Sequence, residues 1–225
     1  MSEKRFSKYF DHTLLAPEAT EDGIKKLCGE AAEYDFYSVC VNSCYVELAK
    51  NELAALGTEN VKIAAVTGFP LGAMHTDAKA YETACACSCG AGEIDMVINI
   101  GALKEGRLDY VKNDIKAVCS KASEAGAIVK VILETCLLTD DEIEKGCECA
   151  IEAGADFVKT STGFSTGGAE VETVKLIKSV VGDRAKIKAS GGFRDLKTAM
   201  AMIDAGADRL GTSATVNIIK EYLNA

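Results

Sequence analysis

Along the chain, stretches with apolar residues three and four apart alternate with short, continuously apolar runs. Ile24, Leu27, Cys28 and Ala31 are spaced like one face of a helix, as are Val171, Val174 and Ile177. The joins are repeatedly glycine: Cys89-Gly90-Ala91-Gly92-Glu93-Ile94, Ala125-Gly126-Ala127-Ile128, Ala153-Gly154-Ala155-Asp156 and Ala205-Gly206-Ala207-Asp208. A glycine just past a helical segment supplies the left-handed cap, so each join reads as the end of a helix and the start of a strand. The unit is a strand then a helix, recurring at about 28 residues.

Strands are predicted at residues 10–15, 36–41, 61–66, 94–99, 128–134, 156–160, 186–190 and 208–212. Eight strands alternating with eight helices predict an α/β fold, a single-domain (β/α)8 TIM barrel over residues 1–225. A doubly wound open sheet is the alternative. The barrel is preferred because polar residues collect at the carboxyl end of nearly every strand, the rim where such barrels build their sites. That rim comprises Asp11 and Thr13, Cys40 and Asn42, Thr67, Asp95, Lys130 with Glu134 and Thr135, Lys159, Lys188, and Ser213.

Several of these residues break the apolar pattern. Lys159 lies in Phe157-Val158-Lys159-Thr160, Lys188 in Ile187-Lys188-Ala189-Ser190, and Asp95 in Ile94-Asp95-Met96-Val97. A buried ammonium must be paired or shed its proton. With the two lysines on adjacent strands and their nitrogens about 6 Å apart, repulsion at an effective dielectric near 20 is roughly 3 kcal/mol, or about 2 pKa units. That is enough to free a nucleophilic amine at neutral pH, with Asp95 as proton shuttle or counter-ion. An interior ion-pair cluster without a catalytic part would use the same residues.

The loops after these strands change the picture. Thr160-Ser161-Thr162-Gly163-Phe164-Ser165-Thr166-Gly167-Gly168, then Ser190-Gly191-Gly192, then Gly211-Thr212-Ser213 carry hydroxyls and glycines and run into helical segments. Backbone amides there can approach an oxyanion, and a helix start favours it. One shared anion site beside an amine fits a small phosphorylated carbonyl compound.

Composition removes other classes. The apolar content of 48% supports a sizeable core, and the net charge of −9 argues against non-specific nucleic-acid binding. No uncharged apolar run reaches 18 residues and the N-terminus has no apolar leader, so a cytoplasmic protein without a membrane span is expected. Ten cysteines include the clusters Cys85-Ala86-Cys87-Ser88-Cys89 and Cys147-Glu148-Cys149, but neither has zinc-site spacing and only His12 and His75 could add imidazoles. Buried or half-buried reduced thiols, no metal and no cofactor are expected.

The ordered set Asp11-His12-Thr13-Leu14-Leu15, Val39-Cys40-Val41-Asn42, Glu93-Ile94-Asp95-Met96-Val97-Ile98-Asn99-Ile100-Gly101, Lys130-Val131-Ile132-Leu133-Glu134-Thr135, Phe157 to Phe164, Lys188-Ala189-Ser190-Gly191-Gly192 and Arg209-Leu210-Gly211-Thr212-Ser213 resembles the deoxyribose-phosphate aldolase family of class I aldolases along essentially the whole chain. The resemblance implies reversible, metal-independent cleavage of 2-deoxy-D-ribose 5-phosphate to D-glyceraldehyde 3-phosphate and acetaldehyde, in deoxyribonucleotide and carbohydrate degradation. It implies Lys159 as Schiff-base nucleophile, a choice over Lys188 that the charge argument alone leaves open. Lys188 is then the neighbour that lowers its pKa, and Asp95 the proton donor and acceptor. Asp11, Thr13, Lys130 and Thr162 would orient substrate and water, and Gly163, Gly191, Gly192, Gly211 and Ser213 would hold phosphate. The chain departs from many relatives with Ala214 after Ser213 and with Phe164 where some carry lysine. Tyr222 is a candidate for the terminal tyrosine that in some family members reaches towards the site. A different Schiff-base aldolase, a sugar-phosphate isomerase or a non-catalytic sugar-phosphate-binding barrel remain alternatives, and a homo-oligomer is possible.

Overall fold

The computed structural model describes residues 6–58 and 60–224. The first five residues of the stretch read for a leader lie outside that range. In chain order the elements are β1 (Phe10–Leu14), α1 (Glu21–Glu33), β2 (Ser38–Val41), α2 (Val46–Ala55), β3 (Lys62–Thr67), α3 (Thr76–Cys89), β4 (Glu93–Val97), α4 (Ile100–Lys104), α5 (Leu108–Glu124), β5 (Ile128–Ile132), α6 (Asp140–Glu152), β6 (Phe157–Lys159), α7 (Val171–Val181), β7 (Lys186–Ser190), α8 (Leu196–Asp204), β8 (Arg209–Thr212) and α9 (Thr215–Leu223). All strand pairs are parallel, and β8 returns to pair with β1, closing the barrel.

The predicted (β/α)8 barrel is therefore the observed fold, with two local differences. An additional short helix, α4, stands between β4 and α5. Several strands end earlier than their apolar runs. The Ile98 amide still donates to the Ile132 carbonyl at 3.1 Å and that of Leu133 to the Lys159 carbonyl at 3.0 Å. Just beyond, at Glu134, the backbone becomes left-handed, φ 60°, and the extended run ends.

Alternation along the strands sorts the side chains into two compartments. Outward residues such as Val39, Ile94, Met96, Val131, Val158, Ile187 and Leu210 meet the apolar faces of the helices and form the main core. Among the inward residues, Leu15, Cys40, Ala64 and Val66 form an apolar cluster with Phe69. Elsewhere the lumen carries Asp11, Glu93, Asp95, Lys130, Lys188 and Arg209, all buried. Such residues disrupt the sequence pattern because they face the lumen rather than the helices.

The ten cysteines are free. Cys44, Cys85 and Cys136 are exposed, which corrects the expectation of buried or half-buried thiols throughout: they sit on helices and loops at the surface, where nothing covers them. Among the described residues no helix is long and apolar enough to cross a membrane.

Candidate active site

Parallel register sets Lys159 of β6 opposite Lys188 of β7, and Asp95 of β4 opposite Lys130 of β5. Inside the barrel these four converge. Lys159 Nζ lies 2.6 Å and Lys188 Nζ 2.8 Å from the same oxygen, Asp95 Oδ2, while Lys130 Nζ lies 2.8 Å from Asp95 Oδ1. The two amines thus share one compartment, no further apart than those two contacts laid end to end.

A second tier holds the first in place. Asp11 Oδ2 accepts from Lys188 at 2.5 Å, and Asp11 Oδ1 accepts from Ser38 Oγ at 2.7 Å and from the Arg209 guanidinium at 2.8 Å. Glu93 pairs with Lys130 and, at 3.5 Å, with Arg209, whose guanidinium stacks over the Tyr37 ring at 3.3 Å. The cluster contains four cationic side chains, Lys130, Lys159, Lys188 and Arg209, facing three carboxylates, Asp11, Glu93 and Asp95. An uncompensated buried charge is costly, so the arrangement favours one neutral base.

The odd member is Lys159. Burial pushes its pKa below the ordinary lysine value, Asp95 pulls it back up, and the Lys188 ammonium lowers it again. Lys188 and Lys130 go the other way: burial opposes their charge, but the carboxylates of Asp11 and Asp95 raise both, with Glu93 also acting on Lys130. Asp95, buried but surrounded by Lys130, Lys159 and Lys188, stays ionised far below the ordinary carboxylate value. Repulsion between the two lysines was expected to free the amine. Desolvation is the larger cause and the Lys188 ammonium the lesser one.

Above the cluster opens a cleft of about 280 Å³, at whose floor Lys159 sits. Thr13, Thr162, Gly163, Gly191, Gly192, Gly211 and Ser213 line it, so the structure brings these sequence-derived candidates around one cavity. Asp11, Asp95, Lys130 and Lys188 lie beneath it, within the ion-pair cluster. The loops are stitched to one another: the Ala169 amide donates to the Gly191 carbonyl at 3.0 Å, and the Gly191 amide to the Gly211 carbonyl at 3.3 Å. Gly191 and Gly192 have φ of 79° and 83°, a backbone that side chains resist. At Gly211 space is the constraint, because a Cβ there would stand 2.8 Å from Lys188 Cε.

Three neighbours escaped sequence reasoning. Arg194 lines the mouth of the cleft just past the Gly-Gly turn, a cation whose position after that turn was the available signal. Arg209 and Glu93 complete the ion-pair cluster; both lie within strands, and the alternation that turns Asp95 inward also turns Glu93 inward. Phe164, half exposed, meets Phe69 edge to face at 5.3 Å and gives the cleft an apolar wall. Cys40 is buried, its Sγ 4.0 Å from Asp95 Oδ2, and burial pushes the thiol up. Tyr222 does not approach the cleft: it stacks on Phe6 at 4.4 Å because α9 packs beside the N-terminal segment. Among the described residues no group of three His, Cys, Asp or Glu is arranged to hold a metal ion.

Comparison with known proteins points the same way. Residues 6–221 match the model of the family described as DeoC/LacD family aldolase. The chain is 56% identical over 214 residues to a deoxyribose-phosphate aldolase of Finegoldia magna, covering 95% of this chain and 98% of that one. It is 57% identical over 219 residues to the deoxyribose-phosphate aldolase of Thermococcus gammatolerans, covering 97% of each. The tetrameric deoxyribose phosphate aldolase structure from Aeropyrum pernix superposes with a TM-score of 0.92 at 33% identity, over 99% of this chain and 92% of that one.

Proposed function

This chain belongs to the DeoC/LacD aldolase family, and from that premise we propose that it is a Schiff-base aldolase cleaving 2-deoxy-D-ribose 5-phosphate reversibly to D-glyceraldehyde 3-phosphate and acetaldehyde. One observation carries the reading: Lys159, the lysine of the lumen cluster whose pKa is lowered, is also the one that lines the glycine-rich cleft. Neutral Lys159 adds to the C1 carbonyl, water leaves, and the resulting iminium withdraws electrons. The C3 hydroxyl then gives up its proton and the C2–C3 bond breaks. Its electron pair forms an enamine on C2, and C3 becomes the aldehyde of glyceraldehyde 3-phosphate. Protonation of C2 and hydrolysis of the iminium release acetaldehyde and restore Lys159.

Asp95 Oδ2, touching both Lys159 and Lys188, is suited to pass protons between them. The raised Lys188 is the proton reservoir, with Lys130 holding Asp95 in place and Asp11 holding Lys188. Thr13 and Thr162 orient the sugar, while amides and hydroxyls around Gly163, Gly191, Gly192, Gly211 and Ser213 take the phosphate. We read residues 1–225 as one catalytic domain acting on a small phosphorylated sugar in the cytoplasm. The tetrameric Aeropyrum relative supports a homo-oligomer.

The test is borohydride trapping with acetaldehyde followed by peptide mass analysis. A two-carbon adduct on the Lys159 peptide is expected in the parent protein and none in Lys159→Leu. An isomerase or a sugar-phosphate-binding barrel would give no adduct in either.

A further inference from the structure

Glu134 is one of two non-glycine residues in the left-handed region among the described residues, φ 60° and ψ 61°, a conformation that costs energy for a residue with a long side chain. It is 2% exposed and lies two residues past the end of β5. Backbone bonds bracket it: the Leu133 amide donates to the Lys159 carbonyl and the Thr135 amide to the Thr160 carbonyl, each at 3.0 Å. Between them the side chain reaches further along the neighbouring segment than the backbone ladder does. Its carboxylate accepts the Thr162 amide, at 3.2 Å to Oε1 and 3.4 Å to Oε2, and also the Thr162 hydroxyl. The Cys136 thiol is a weaker donor at 3.9 Å. Thr162 Oγ1 in turn accepts the Phe164 amide at 3.0 Å. The hydroxyl therefore has its single proton committed to Glu134 and one lone pair committed to Phe164, which closes the turn around Gly163. Gly163 lines the cleft at the apex of that turn.

We infer that Glu134 is a positioning residue: through Thr162 it holds the Thr162–Phe164 turn as the phosphate-binding arm of the cleft, at a fixed distance from Lys159. The inference rests on the aldolase reading for the identity of the ligand. The left-handed backbone at Glu134 accompanies a carboxylate that reaches across to an amide two residues past the Thr160 carbonyl, which itself takes the Thr135 amide. Thr162 then serves the site as a brace that can accept a hydrogen bond from a ligand but has no proton left to donate.

Two variants of the full chain test this. Glu134→Gly suits the left-handed backbone but deletes the carboxylate, and Glu134→Gln keeps the shape and a carbonyl acceptor for the Thr162 amide. Four quantities are measured: KM and kcat for 2-deoxyribose 5-phosphate, affinity for inorganic phosphate, and the rate of acetaldehyde trapping on Lys159, which involves no phosphate. Glu134→Gly is expected to weaken phosphate affinity and raise KM by about tenfold, the size of one lost hydrogen bond to a charged group. Trapping should stay within about threefold of the parent, and Glu134→Gln should lose less than Glu134→Gly. Unchanged phosphate affinity in both variants, or trapping lost in parallel with it, overturns the assignment. If the parent shows neither turnover nor trapping, the aldolase reading fails instead, and phosphate affinity still decides the role of Glu134.

Discussion

Lys159 and Lys188 stand opposite each other across the β6–β7 register and both direct their amines at one oxygen of Asp95. Asp95 cannot satisfy both fully, and Lys188 has Asp11 besides. The competition therefore leaves Lys159 as the weaker holder of its proton. Replacing Lys188 with methionine removes a cation and gives Asp95 Oδ2 to Lys159 alone, so the pKa of Lys159 should rise. Its neutral form would then require higher pH, and the acidic limb of acetaldehyde trapping should move up by about 1–2 units. A limb that stays in place or moves down contradicts the shared-oxygen account.

Acid stability follows from the carboxylates. Asp11 and Asp95 are both held ionised below the ordinary value, despite burial, by Lys188, Lys130 and, for Asp11, Arg209 or, for Asp95, Lys159. A depressed folded-state pKa means that the unfolded chain binds protons first as pH falls. Their contribution is complete above the ordinary aspartate range and is lost progressively as pH drops below about 4. Thermal unfolding followed between pH 6 and pH 3 should show a steepening loss of Tm below that point. A flat profile would mean that the cluster does not contribute in this way.

Outside the site, Lys79 of α3 and Asp114 of α5 form a completely buried pair at 2.6 Å, with the Lys79 ammonium also donating to the Val97 carbonyl at 2.8 Å and Thr76 Oγ1 donating to Asp114 at 2.8 Å. Asp114→Ala strands the ammonium and should cost about 3–5 kcal/mol in denaturant unfolding. Because desolvation offsets much of the pair's attraction, the double substitution Lys79→Met with Asp114→Leu should recover most of that loss. A double variant no better than the single one would show that packing, not stranded charge, dominates.

Gly211→Ala probes the close approach to Lys188. The added methyl displaces Lys188 Cε from its seat beneath the cleft. A shift of about 1 Å in a catalytic group can cost about 100-fold, so kcat should fall by that order while circular dichroism remains that of the parent. Retained kcat would separate Lys188 from the proton transfers assigned to it.

The barrel and the lysine pair were legible because charged residues in short apolar strands are anomalous, and an anomaly that recurs on adjacent strands points to one place. Strand ends were less legible: Ile98 and Leu133 continue the apolar run and even the hydrogen bonding, but they precede a turn that no pattern of hydrophobicity announces. Glu134 looks like an ordinary loop acid, since its left-handed backbone and its grip on Thr162 depend on a partner 28 residues away. Arg209 reads in sequence as one more polar residue beside Leu210-Gly211, although its guanidinium is needed to describe the charge around Asp11. The extent of burial of Lys159 was illegible for the same reason: residue types announce charge, but only the fold sets the depth at which it lies.

Closure of the barrel has a consequence for how the protein comes into being. Asp11 on the first strand touches Arg209 on the last, 198 positions later. Until β8 docks against β1, the lumen remains open on one side, and its lysines and carboxylates can stay hydrated. During synthesis the catalytic interior is therefore the final part to form, and a chain released short of its last two elements would have the nucleophile but not the surroundings that lower its pKa.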